Sequence, residues 1–196
     1  MTCIVGYVND ECMVMGGDSA GSAGGSYSLR RDPKVFKVPQ VKGQDAIIGF
    51  TSSYRMGQLL MSLKIPEDKS SFDDKGAHFE FLRTKFIEVV RKLFRDGGYS
   101  RVINNVESGG NFILGYRGRI YEVDSDFQVE DPFVSFVAIG AGEEFAVGAL
   151  DYMCNHTDLT ELVLEQIVLR ALETSERYCN LVKGPMKLVK VINKVK

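Results

Sequence analysis

The apolar runs of this chain are continuous where a half-exposed strand would alternate, and this limits the fold more than any other feature. Cys3 to Val8, Cys12 to Met15, Val35 to Val38 and Ala46 to Phe50 are mostly apolar at successive positions, so both faces of their sheets must be covered. Asn9-Asp10-Glu11 between the first two runs is a polar turn of hairpin length. Helical spacing follows, with Met56, Leu59, Leu60 and Leu63 at i, i+3, i+4 and i+7. After a polar loop, Phe79, Leu82, Phe86, Val89, Val90 and Leu93 repeat the pattern until Gly97-Gly98 stops it. Strands return at Phe112 to Leu114, Ile120 to Val123 and Phe133 to Ile139, the first two joined by a tight Tyr116-Arg117-Gly118 turn. A second helical pair spans Glu143 to Cys154 and Leu159 to Tyr178, the latter opened by an Asp158/Glu161 capping box. Met186 to Ile192 closes the order as a strand.

This order is segregated and lacks the βαβα alternation of a parallel doubly wound sheet. It predicts an α+β chain folded as a four-layer αββα sandwich, with two antiparallel sheets face to face and a helix pair on each outer surface. Residues 1–196 form a single domain in this reading, since no repeat, low-complexity tract or linker divides them. The glycine- and serine-rich stretch Ser19 to Ser28 reads as a loop. Apolar residues at 44% and charged residues at 26% are ordinary globular usage, which excludes disordered and fibrous classes.

Other classes fall away on chemistry. No apolar stretch is long enough for a membrane-spanning helix, so no membrane partner is expected. The first residues carry no basic region and meet Asp10-Glu11 at once, which points to the cytoplasm. With 24 basic and 26 acidic residues, the net charge of −2 offers no electrostatic case for nucleic acid. Cys3, Cys12, Cys154 and Cys179 form no Cys-x-x-Cys pair and only His78 and His156 are present, so no metal site is expected. The cysteines read as small buried apolar groups. Gly140-x-Gly142 lacks the third glycine of a dinucleotide fingerprint, Phe145 standing there, and reads as a helix-entry turn.

The N-terminal hairpin is the chemically informative part. Taken literally, its turn pairs Val8 with Cys12 and sets Thr2 opposite Asp18. Methionine before a small residue is usually excised, so a mature chain would begin at Thr2 with a free α-amine beside a hydroxyl. An amine with a reference pKa of about 8 is partly unprotonated near neutral pH and can take the hydroxyl proton. Lys34 leads the third strand, and its ammonium near the amine would disfavour a second positive charge there.

Thr2-Cys3-Ile4-Val5-Gly6, Gly16-Gly17-Asp18-Ser19, Lys34-Val35, Ile48-Gly49-Phe50 and Ala138-Ile139-Gly140-Ala141-Gly142 together resemble the N-terminal nucleophile (Ntn) hydrolases, specifically proteasome β subunits and HslV. The resemblance implies a threonine peptidase with Thr2 as nucleophile, its α-amine as base, and Asp18 and Lys34 completing the catalytic site. It places oxyanion and substrate contacts at Gly49, Ser52, Ser53 and Ala141. It implies no cofactor, a peptide or unfolded protein as substrate, a homo-oligomeric ring and a separate ATP-dependent unfoldase. The chain departs from the family at Ala141, where a serine is usual. The family's late aspartate is either shifted to Glu176 or absent. These departures support an alternative, a catalytically silent Ntn-fold assembly or binding protein. Cys3 is the rival nucleophile. Tyr54, Met61, Phe81 and Phe94 are apolar candidates for a ring contact surface.

Overall fold

The computed structural model of the chain describes residues 2–23, 26–39, 45–156 and 163–193. β1 (Cys3–Val8) and β2 (Cys12–Gly17) form the expected hairpin. β3 (Ala20–Ala23) and β4 (Ser26–Leu29) form a second one, correcting the loop expected over Ser19 to Ser28. Ala20, Gly21, Ser26 and Ser28 are small and leave no apolar period to read. β5 (Val35–Val38) and β6 (Ala46–Phe50) follow, then α1 (Tyr54–Leu60). A longer helical run starts at the Asp74 cap as α2 (Lys75–Phe81), passes a widened turn over Leu82–Phe86 and continues as α3 (Ile87–Asp96).

The chain then forms β7 (Arg101–Ile103) and β8 (Val106–Ser108), a hairpin the sequence reading missed. Asn104 and Asn105 turn it, both at positive φ. β9 (Phe112–Tyr116) and β10 (Arg119–Val123) are joined at Arg117-Gly118 as expected. β11 (Val129–Glu130) and β12 (Phe136–Gly140) come next. The expected strand start at Phe133 is corrected, because that side chain is wholly exposed ahead of the sheet. α4 (Glu143–His156), α5 (Leu164–Tyr178) and β13 (Lys187–Ile192) complete the chain. The proposed capping box at Asp158 and Glu161 lies outside the described residues.

Four strands in the order β12-β1-β2-β13 make one sheet and five in the order β11-β10-β9-β6-β5 make the other, all pairings antiparallel. Three apolar cores separate four layers. Ile4, Met13, Met15, Ile47, Ile113 and Ile139 fill the space between the sheets. Cys3, Val5 and Val14 pack against Leu150, Val168 and Leu172 of α4 and α5. Ile48, Phe50 and Leu114 pack against Met56, Phe86 and Val90 under α1 to α3. Successive β1 residues serve two different cores, which explains their continuous apolarity. Phe81 and Phe94 belong to the last core and are not available as contact surface, whereas Met61 is exposed.

The first hairpin differs from the expected register by one residue. Val8 pairs with Met13 and Ile4 with Gly17. The cause is Asn9, whose side-chain oxygen accepts the Glu11 and Cys12 N–H groups at 2.9 and 2.8 Å and lengthens the turn. Cys3, not Thr2, therefore lies beside Asp18, and the Asp18 N–H donates to the Cys3 carbonyl at 3.3 Å.

Candidate active site

Thr2, Asp18 and Lys34 nevertheless converge, because Lys34 spans the residue lost in the register. It enters from the facing sheet just before β5, and its Nζ donates both to Thr2 Oγ1 and, at 2.8 Å, to Asp18 Oδ1. All three residues are buried, with exposures of 3%, 1% and 3%. Asp18 is also held by backbone donors: Cys3 N–H at 3.1 Å on Oδ1, and Ala20 N–H at 3.2 Å and Lys183 N–H at 3.3 Å on Oδ2. A carboxylate so supplied is fixed in place. Burial lowers the Lys34 pKa from its ordinary value, and the Asp18 carboxylate opposes that shift.

Thr2 opens into a cleft of about 240 Å³ walled by Gly21, Ser28, Arg30, Lys34 and the turn Phe50 to Tyr54. Ser52 and Ser53 line it, as the sequence reading expects of substrate contacts. Ser52 holds φ at 66°, an uncommon value outside glycine that brings the Ser53 N–H to the Thr51 carbonyl at 2.8 Å. Ser53 caps α1, its side chain accepting the Arg55 N–H. The far wall is a stack: Arg30 lies 3.7 Å over the Tyr54 ring and is paired with Asp32 at 2.7 Å, while Tyr54 meets Phe50 edge-on.

Gly49 and Ala141 are placed elsewhere. A Cβ at Gly49 would fall 2.5 Å from Ile4 and Met15, so this glycine spaces the two sheets and does not line the cleft. Ala141 is exposed on the turn into α4, where its carbonyl accepts the Cys179 thiol at 3.4 Å. The same turn still reaches Thr2 by backbone, since Gly142 N–H donates to the Thr2 carbonyl at 3.4 Å. Gly140 permits this approach, with φ at 101° and only 2.4 Å between a built Cβ and that carbonyl.

Three further residues surround the site: Ser175 carries no sequence signal, Glu176 entered only as a shifted stand-in for the family's late aspartate, and Ser19 only as the last residue of the Gly16-Gly17-Asp18-Ser19 motif. Ser175 is fully buried in α5 and donates to the Gly142 carbonyl at 2.8 Å. Glu176 turns away from Thr2, accepting Gly184 N–H at 3.1 Å and pairing with Lys183 at 2.9 Å. Ser19 donates its hydroxyl to the Pro185 carbonyl at 2.6 Å. These partners lie 33, 8 and 166 residues apart in sequence, so the folded chain is what brings them together. Cys3, the rival nucleophile, is fully buried, and burial pushes its thiol up to about 12, so it carries no reactive thiolate at neutral pH. Among the described residues no group of histidine, cysteine, aspartate and glutamate side chains is arranged to hold a metal ion. No helix among them is long and apolar enough to cross a membrane.

A family model described as a proteasome subunit matches residues 1–191. No curated protein matches the sequence. Among solved structures the chain is similar to Thiobacillus denitrificans BPH in complex with epoxomicin, at TM-score 0.75 and 15% identity, covering 98% of this chain and 100% of that one. Eukaryotic HslV from Trypanosoma brucei gives 0.63 and 16% over 96% and 98%. Anbu from Yersinia bercovieri, described as an ancestral β-subunit, gives 0.66 and 16% over 97% and 81%. At such identities these likenesses concern the fold.

Proposed function

The chain belongs to the proteasome subunit family, and on that premise we propose that it is a threonine peptidase that cleaves peptide bonds with Thr2 after removal of Met1. The observation that carries the reading is the Lys34 ammonium bridging the Thr2 hydroxyl and the Asp18 carboxylate at the head of a cleft. In the mature chain Thr2 Oγ1 attacks the peptide carbonyl carbon and its proton passes to the Thr2 α-amine. The C–N bond breaks, the leaving amine takes that proton, and an ester joins the acyl group to Thr2. Water then adds to the ester carbonyl with the same amine as base, releasing the acid and restoring the hydroxyl.

Lys34 serves both ends of this cycle. Its positive charge disfavours a second one on the amine and so keeps that amine competent as base, and its N–H stabilises Oγ1 as negative charge develops. Asp18 fixes Lys34 in place. Ser52 and Ser53 on the cleft wall are the nearest sequence-assigned groups to meet the substrate backbone. A peptide or unfolded segment is the expected substrate, a homo-oligomeric ring the expected assembly, a separate ATP-dependent unfoldase a partner in supplying unfolded chains, and the cytoplasm the compartment.

Hydrolysis of a fluorogenic peptide by wild type and Thr2→Ala tests the nucleophile. Activity should disappear in the variant while circular dichroism stays the same, because only a hydroxyl and one methyl group just ahead of β1 are lost. Since BPH was solved with epoxomicin, that compound should raise the melting temperature of wild type and leave Thr2→Ala unmoved. Equal hydrolysis by both proteins would refute the assignment, and no hydrolysis by either would favour the silent Ntn-fold alternative, in keeping with Ala141.

A further inference from the structure

We infer that the last turn of α5 positions both halves of the candidate site, Ser175 acting on Thr2 and Glu176 acting on Asp18. The two residues are adjacent in sequence, yet their side chains leave the helix toward different segments. Ser175 donates to the Gly142 carbonyl at 2.8 Å, and the Gly142 N–H donates to the Thr2 carbonyl at 3.4 Å. Glu176 accepts the Gly184 N–H at 3.1 Å and so fixes the turn over Lys183 to Pro185. That turn grips Asp18 and its neighbour three times. Lys183 N–H donates to Asp18 Oδ2 at 3.3 Å, Ser19 N–H to the Lys183 carbonyl at 3.0 Å, and Ser19 Oγ to the Pro185 carbonyl at 2.6 Å.

The consequence is a single rigid element that sets the distance between nucleophile and ion pair from behind the sheet. α5 is well placed for this, since Ile167, Val168, Ala171 and Leu172 anchor it against β1 and β2, the strands that end at Thr2 and Asp18. Neither Ser175 nor Glu176 lines the cleft. They are positioning residues, acting through backbone groups. The Lys183 ammonium also pairs with Glu176, but its side chain is 52% exposed and that ion pair is screened. The path to Asp18 runs through the Lys183 and Gly184 backbone.

The inference rests on the peptidase reading only where turnover is concerned, so the test reads two quantities on the full chain. Amide hydrogen exchange and peptide hydrolysis are measured for wild type, Ser175→Ala, Glu176→Ala and Glu176→Gln. Glu176→Ala should speed exchange at Ser19 and Ala20 about fivefold, the factor expected for losing one net hydrogen bond's support. It should lower kcat by up to about 100-fold with KM within about twofold, as for a misplaced reacting group. Glu176→Gln, whose amide oxygen still accepts the Gly184 N–H, should restore most of both. Ser175→Ala should speed exchange at Gly142 and lower kcat in the same way. Exchange across β9 should stay as in wild type in every variant, which separates a lost contact from general loosening. Unchanged exchange at Ser19, Ala20 and Gly142, or failure of Glu176→Gln to recover it, overturns the inference. Expected exchange changes in a protein that hydrolyses nothing would sustain the positioning role and refute the peptidase reading.

Discussion

Lys34 illustrates how one side chain can be costly to bury and still required. Desolvation penalises its ammonium, and the buried carboxylate of Asp18, held in place by three backbone donors, offsets that penalty. The two members of the pair are not equivalent. Lys34→Ala leaves a carboxylate with its backbone donors, whereas Asp18→Asn leaves an ammonium without a counter-charge. Asp18→Asn should therefore move the Lys34 titration, followed by nitrogen NMR, further below its ordinary value, and should destabilise the fold by about 3 kcal/mol. Lys34→Ala should cost less stability and more turnover. A Lys34 titration left in place by Asp18→Asn would show that the carboxylate does not hold the ammonium.

Strand pairing brings together groups that no local pattern connects. Glu122 on β10 faces Glu130 on β11, and burial, with Asp124, Glu130 and Glu143 adding their charge, pushes its carboxyl up to about 7. The folded chain thus keeps a proton that the unfolded chain releases at the ordinary carboxyl value. This contribution is complete at low pH and is lost as pH rises through about 7. Glu122→Gln should stabilise the protein at pH ~8 by about 2 kcal/mol and change little at pH ~5, measured by urea unfolding. Equal effects at both pH values would contradict it. The same distinction governs what could be read beforehand. β1, β2, β5, β6, β9 and β10 were legible because each carries apolar side chains into two cores. β3 and β4 were not, because Ala20, Gly21 and their neighbours pair without an apolar signature. The meeting of Thr2, Asp18 and Lys34 was legible from the hairpin and the family likeness even though Asn9 shifts the register. Ser175 was silent, since nothing along α5 distinguishes a serine that caps a distant loop from one on a solvated face, and Glu176 was legible only as a shifted stand-in for the family's late aspartate.

As a whole molecule the chain buries Thr2, Asp18 and Lys34 but leaves several large apolar side chains outside. Val102, Ile103 and Val106 are exposed on the β7–β8 hairpin, and Tyr152 and Tyr178 on α4 and α5. Such a surface suits contact with further copies better than the salt-laced surface of a monomer. Light scattering at micromolar concentration should return an oligomer larger than a dimer, and a value of only the 21.8 kDa chain would contradict that. Peptidase activity, however, turns on one peptide bond, Met1–Thr2. Thr2 can act as its own base only with a free α-amine, so the most direct measurement is the intact mass of the denatured chain purified from its native host. The mass should be that of a chain beginning at Thr2. A chain that retains Met1, with the Thr2 nitrogen locked in an amide, would contradict it.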